Sequence, residues 1–138
     1  ANFEPSTFEQ VMRVNVTAAF LLNQALIPLL QKAPKASIIF TTSSVGRKAK
    51  AYWGAYAVSK FATEAMMQLL ADELENISNI RVNAINPGGT RTNMRAHAYP
   101  AEDPNTLKTP LDIMPLYLYL MGNDSADVNG QSLDAQPK

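Results

Sequence analysis

Two short apolar runs with a long helical pattern between them restrict this chain more than any other feature. The run SIIFTT at 37–42 and the run IRVNAIN at 80–86 each read as a buried strand bounded by turn residues. The first leaves a turn at Ala33-Pro34-Lys35-Ala36, and the second runs into Pro87-Gly88-Gly89. Between them a helix starts near Trp53-Gly54. Its apolar positions Phe61, Ala65, Met66, Leu69, Leu70 and Leu74 keep helical spacing, and Met66-Met67 reads as core or subunit interface. The small residues Ala55, Ala57, Ser59 and Ala62 let a neighbouring element or ligand approach closely. Strand, helix, strand in that order implies parallel pairing through a right-handed crossover, hence an α/β chain.

The flanking segments extend the pattern. Ser6 with Glu9, or Thr7 with Gln10, has capping-box spacing and predicts a helix start there. The following VMRVNVTAAFLLNQALIPLLQK is apolar on more than one face, as a helix covered by both a sheet and a partner helix should be. Arg13, Asn15, Asn23 and Gln24 read as too polar for a membrane span, and Pro28 should kink the helix or shorten its end. Residues 95–108 show little periodicity and read as a lid or substrate-binding loop. Thr109-Pro110 caps and opens a further helix, stopped by Gly122, and residues 130–135 form a last short strand.

Chemistry concentrates between Thr41 and Lys60. Tyr56 and Lys60 are four apart, which on a helix places them on one face. A nearby cation favours the phenolate and lowers the phenol's usual pKa of about 10, so the ring can exchange a proton near neutral pH. The same spacing also arises in ordinary helices, as a lysine lying along a half-buried ring. Context favours chemistry. Ser43 and Ser44 follow the first strand, where open α/β sheets bind ligands, and a hydroxyl there can hold a carbonyl or alcohol oxygen. Asn15 has two readings, a buried amide bonded to backbone or a holder of water in a proton relay. From its own helix the structural reading is preferred.

Composition narrows the alternatives. Twelve basic residues balance twelve acidic ones, so no cationic field exists to attract nucleic acid. The lack of cysteine removes disulfides and thiolate metal sites, and fits a reducing, cytoplasmic setting. The single histidine, His97, leaves nothing for a histidine metal cluster or a Ser-His-Asp triad and reads as a solvated loop residue. The opening ANFEPSTFEQ has neither the basic nor the apolar region of a secretory signal.

Four signatures in order give the chain a resemblance to the classical short-chain dehydrogenase/reductases. They are Asn15 in VNVTAAF, Ser43 thirteen residues before Tyr56 with Gly46 in register, Tyr56-x-x-x-Lys60, and Pro87-Gly88 with Thr92. The details SSVGR, WGAYAVSK, NPGGTRT and LKTPLDIMPLYLYLMG resemble a narrower bacterial branch, the YciK-type oxidoreductases. The resemblance implies a partial Rossmann-like doubly wound parallel sheet and an NAD- or NADP-dependent interconversion of an alcohol and a carbonyl. It implies Tyr56 as general acid/base and Lys60 as the residue that lowers its pKa and bonds the nicotinamide ribose. Ser43, with Ser44 as fallback, would polarise the substrate oxygen, and Asn15 would hold a water linking Lys60 to solvent. Pro87, Gly88, Thr90 and Thr92 would line the cofactor, and residues 95–108 would close over a small-molecule substrate. No membrane or nucleic-acid partner is implied, and the full-length protein is expected to be a homo-oligomer, a dimer or tetramer.

The chain departs from that family in one large respect. Its six glycines cannot form G-x-x-x-G-x-G, and the Asn-Asn-Ala-Gly strand end is missing. Residues 1–138 are therefore expected to be the carboxyl-terminal part of one such domain, with the Gly-rich cofactor-binding half absent. A second reading is a non-catalytic truncated fragment acting as a binding or oligomerisation module, against which the retained Ser43, Tyr56, Lys60 and Asn15 argue. A nucleotide-sugar epimerase or dehydratase uses the same Tyr-x-x-x-Lys pair, but little chain remains after Thr92 for its larger substrate domain.

Overall fold

The computed structural model describes residues 3–137. Its strands are β1 (Ala36–Thr41), β2 (Ile80–Asn86) and β3 (Ser132–Asp134), within a residue or two of the expected bounds. They form one parallel sheet in the order β1-β2-β3. The register sets Ile38 opposite Val82 and Phe40 opposite Ala84. These four side chains form the core with Ile80 and with Met67, Ala71 and Leu74 of helix α3 (Gly54–Glu75). The parallel α/β reading therefore holds, and all three strands point their carboxyl ends the same way.

The first helix is continuous from Pro5 to Leu30 and is built as α1 (Pro5–Met12), a π-helical turn (Arg13–Thr17) and α2 (Ala18–Leu30). No capping box forms. Pro5 takes the first helical turn and Glu4 the cap position, which leaves Ser6 and Thr7 already inside the helix. By length and composition this helix is apolar enough to cross a membrane, so its polar residues do not exclude a span as the sequence reading has it. One face packs inward: Ala19, Ile27 and Leu30 lie on the core, and Asn15 bonds to α3. Phe20, Leu21, Leu22 and Leu29 are exposed, so the expected cover by both a sheet and a partner helix is not met among the described residues. Pro28 sits inside α2, which ends two residues later.

Helix α3 buries its expected apolar stripe only in part: Leu74 is in the core and Met66 and Leu70 pack against it. Phe61 and Leu69 are 44% and 61% exposed, whereas Ser59, Thr63 and Glu64 are 0%, 6% and 7% exposed. Each of these three polar side chains is hydrogen-bonded, so burial costs little. Their small or bonded face is what lets the helix approach the turn after β1.

Residues 95–108 are more ordered than the expected loop. The Thr92 side chain accepts from the Arg95 N–H at 3.1 Å and caps α4 (Asn93–Ala98), so His97 is helical, its Nδ1 2.8 Å from the Asn93 carbonyl oxygen. Arg91 cinches the ends of the segment through its N–H to the Lys108 carbonyl (2.8 Å) and its Nε to the Pro104 carbonyl (2.8 Å). Thr109 and Asp112 cap each other reciprocally before α5 (Met114–Met121), which stops at Gly122 in extended backbone.

Candidate active site

The carboxyl end of β1 builds the first part of the site. After Thr41 the chain passes through Thr42, Ser43 and a single 3-10 turn, Ser44–Gly46. Ser43 caps that turn, its Oγ accepting from the Val45 N–H at 3.4 Å, so its hydroxyl hydrogen can still be donated elsewhere. Ser44 is exposed where Ser43 is half-buried, so Ser43 is the better anchored of the two. Gly46 rests directly on α3: a Cβ there would lie 2.8 Å from the Lys60 carbonyl oxygen. Glycine is required here for space, and its φ is not in the left-handed region.

Helix α3 supplies the second part. Tyr56 and Lys60 share a face, with the Lys60 Nζ 5.5 Å from the centre of the Tyr56 ring. That ammonium donates to the Thr41 carbonyl at 3.0 Å, and burial lowers its pKa below the ordinary value of 10.5. Ser59 donates to the Tyr56 carbonyl (2.7 Å) and receives the Asn15 Nδ2 (3.1 Å). The π-helical turn thus carries Asn15 to α3; such turns recur at functional sites.

The carboxyl end of β2 completes it. Asn86 accepts the Gly88 N–H (3.1 Å), and Gly88 adopts φ +76, which favours glycine. The Gln136 Nε2 bonds the Pro87 and Gly89 carbonyls at 3.0 and 2.9 Å. The Thr90 hydroxyl donates to the Gly88 carbonyl at 3.0 Å. Ser43, Tyr56, Pro87, Gly88, Thr90 and Thr92 all line one cleft of about 520 Å³. Lys60 and Asn15 do not. They line an adjoining groove of about 480 Å³ along the free edge of β1, and the Lys60 chain reaches from there beneath the Tyr56 ring.

The polar set on the cleft side fits one end of a nicotinamide nucleotide. The Tyr56 hydroxyl and the Lys60 ammonium beneath can donate to a sugar hydroxyl, and the Thr90 hydroxyl oxygen, its hydrogen given to Gly88, can accept from a carboxamide. Among the described residues no pyrophosphate cradle accompanies them. The nearby guanidinium groups are committed within the protein, Arg91 to backbone carbonyls and Arg95 to Glu102 at 2.8 Å.

Several residues that matter here escape a sequence reading. Glu64 gathers the Thr42 hydroxyl (3.0 Å), the Ser132 hydroxyl (2.7 Å) and the Arg47 Nε (3.3 Å) on one carboxylate oxygen. Arg47 also reaches Asp134 (2.6 Å), holding that carboxyl below its usual range. This network ties the turn after β1 to α3 and to β3. Trp53, Tyr99 and Tyr117 line the cleft from three separate elements, and the Tyr117 hydroxyl lies 3.0 Å from that of Thr41. The i, i+4 step of Lys60 and Glu64 was one available signal; Tyr99 lies in the 95–108 segment read as substrate-binding, and Trp53 and Tyr117 in stretches that carry the family resemblance.

The chain is similar to known proteins over nearly its whole length. The family model for short chain dehydrogenases matches residues 1–103. The oxidoreductase YciK of Escherichia coli (strain K12) is 62% identical over 133 residues, covering 96% of this chain and 52% of that protein. Among solved structures, a short chain dehydrogenase from Shigella flexneri 2a strain 301, complexed with NADP, superposes with a TM-score of 0.95 at 60% identity. One from Escherichia coli CFT073, complexed with NADPH, gives 0.95 at 61%. Both alignments cover 99% of this chain and 56% of the other. The chain spans about half the length of the curated relatives it matches. On its sheet, its motif spacing and these matches, the chain belongs to the short-chain dehydrogenase family.

Proposed function

We infer that this chain carries the proton-handling half of a nicotinamide-dependent oxidoreductase that interconverts an alcohol and a carbonyl. The observation that carries the reading is the stack of Lys60 beneath Tyr56 at the wall of a cleft that also holds the Ser43 hydroxyl. When bound, the reduced nicotinamide supplies a hydride to the carbonyl carbon; NADP is the favoured form, because two close relatives were solved with NADP or NADPH. The remaining length of a whole family member would supply the pyrophosphate cradle that this chain does not hold.

The chain's own residues handle the oxygen and its proton. Ser43 donates its free hydroxyl hydrogen to the substrate oxygen and orients it toward Tyr56. Tyr56 gives that oxygen a proton during reduction and takes it back during oxidation. Lys60, positively charged and partly desolvated, stabilises the phenolate left behind, since a cation favours the charged form of a neighbouring phenol. It can also hydrogen-bond a ribose hydroxyl. Asn15 shares the adjoining groove with Lys60 and is suited to hold a water there, a path for the returning proton. Pro87, Gly88, Thr90 and Thr92 pack along the cofactor, and the segment 95–108 closes over the substrate.

The test is turnover by the native, full-length protein. Tyr56→Phe should lower kcat at least about a hundredfold, within the range general acid–base groups contribute, while NADPH affinity changes only a few-fold. An unchanged kcat removes Tyr56 from the proposed role.

A further inference from the structure

The proposed activity leaves the substrate open, and the cleft walls restrict it. We propose that the substrate is a neutral, ring-bearing ketone, aldehyde or alcohol whose apolar body lies along a wall made by Tyr56, Trp53 and Tyr99. This inference rests on the oxidoreductase reading for its chemistry, and on separate observations for the shape of the ligand.

The wall is continuous. Trp53 lies 5.8 Å from Tyr56 and 6.3 Å from Tyr99, centre to centre, with its plane tilted 41° and 44° to theirs. Both distances fall within the range of favourable aromatic pairs, so the three rings hold one another in a faceted surface. Tyr99 is backed on its other face by the Arg95 guanidinium, 3.8 Å from the ring centre. Arg95 is in turn held by both carboxylate oxygens of Glu102, at 2.8 and 3.0 Å. A planar guanidinium bound in this two-pronged way is fixed in position, and its charge is already matched. The ring wall is therefore held in place, and Arg95, which also lines the cleft, has its charge matched by Glu102.

Apolar side chains line the cleft from other elements too: Ile113 and Pro110 from the segment before α5, and Met94, which is 70% exposed, from α4. The Tyr117 hydroxyl is paired with Thr41, and the Thr90 and Thr92 hydroxyls donate to the Gly88 and Thr90 carbonyls. The hydroxyls left to a ligand are those of Ser43, Ser44 and Tyr56. Lys50 lines the rim, where it is exposed and where a screened surface charge adds little. One polar end and a long apolar body describe a ligand with a single oxygen at its inner tip.

The experiment uses the native, full-length protein with NADPH and two ketone probes, acetophenone and pyruvate. The expected result is a kcat/KM for acetophenone at least about a hundredfold above that for pyruvate. Trp53→Ala and Tyr99→Ala should each lower kcat/KM for acetophenone about tenfold more than for pyruvate, mainly through KM, the scale of lost apolar contact in a specificity pocket. Trp53→Leu, which keeps an apolar side chain at that position, serves if the alanine variant does not fold. Binding is read separately by isothermal titration calorimetry with acetophenone, whose affinity Trp53→Ala and Tyr99→Ala should each lower about tenfold. Equal or better use of pyruvate, or equal effects of the variants on both probes, overturns the proposal. If Tyr56→Phe then abolishes turnover of whichever ketone is used, the oxidoreductase reading stands without it. Saturable acetophenone binding with no turnover of either ketone supports the ligand class and counts against the chemistry. Neither binding nor turnover overturns the ligand class.

Discussion

Replacing Gly46 by alanine probes the joint between fold and chemistry. Gly46 is buried, and its N–H donates to the Ser43 carbonyl at 2.9 Å. An added Cβ would lie 2.8 Å from the Lys60 carbonyl oxygen and 2.9 Å from both the Lys60 carbonyl carbon and its Cβ. Unstrained carbon contacts begin near 3.5 Å, so the methyl is too close by roughly 0.6 Å. The obstacle is helix backbone, which cannot swing aside as a side-chain tip can. The turn carrying Ser43 must therefore move off α3, or α3 must move with Lys60. Overpacking of this kind costs about 1–3 kcal/mol. Reacting groups need to be held within about 0.5 Å, and a displacement near 1 Å costs about a hundredfold in rate. We expect Gly46→Ala to lose about 1–3 kcal/mol in urea unfolding and to lower kcat between about tenfold and a hundredfold, with a smaller change in NADPH affinity. Wild-type stability together with wild-type kcat would refute the coupling of the Ser43 turn to Lys60.

Two further variants follow from the same geometry. Glu64→Ala removes the acceptor for Thr42, Ser132 and Arg47. Arg47 keeps Asp134 and is about a third exposed, so the loss is set near the lower end for a broken buried pair, about 3 kcal/mol, with Glu64→Gln in between; urea unfolding measures both. Burial lowers the Lys60 pKa below 10.5, so as pH rises toward 10.5 the unfolded chain holds the Lys60 proton after the folded one has released it. Stability then increases with pH across that window. The unfolding free energy of wild type relative to Lys60→Met should climb as pH approaches 10.5, and a flat difference would contradict the burial of the charged amine.

β1 and β2 were legible because each is a β-branched, mostly apolar run closed by turn residues, and the Tyr56–Lys60 pair because helical spacing alone brings it together. The buried face of α3 was legible only in part, through Met67 and Leu74. Counting apolar residues favours Phe61 and Leu69, yet Ser59, Thr63 and Glu64 are inside, and Glu64 owes this to Thr42 and Ser132, 22 and 68 positions away. Helix α4 was missed for a local reason, since its Thr92 cap is not followed by the acidic residue of a capping box. The separation of Lys60 and Asn15 from the main cleft follows from how far the lysine chain reaches, which spacing does not convey. The aromatic wall joins Trp53 to Tyr99 across 46 positions and needs the folded turn after β2.

The most direct test of the central claim follows a labelled hydride. The native, full-length protein is given NADPH deuterated at the transferring C4 position and a carbonyl substrate that it reduces. The account predicts one deuterium on the carbinol carbon of the product, and loss of that product in Tyr56→Phe while the nucleotide still binds. Product without deuterium at that carbon, or undiminished product from Tyr56→Phe, would contradict it.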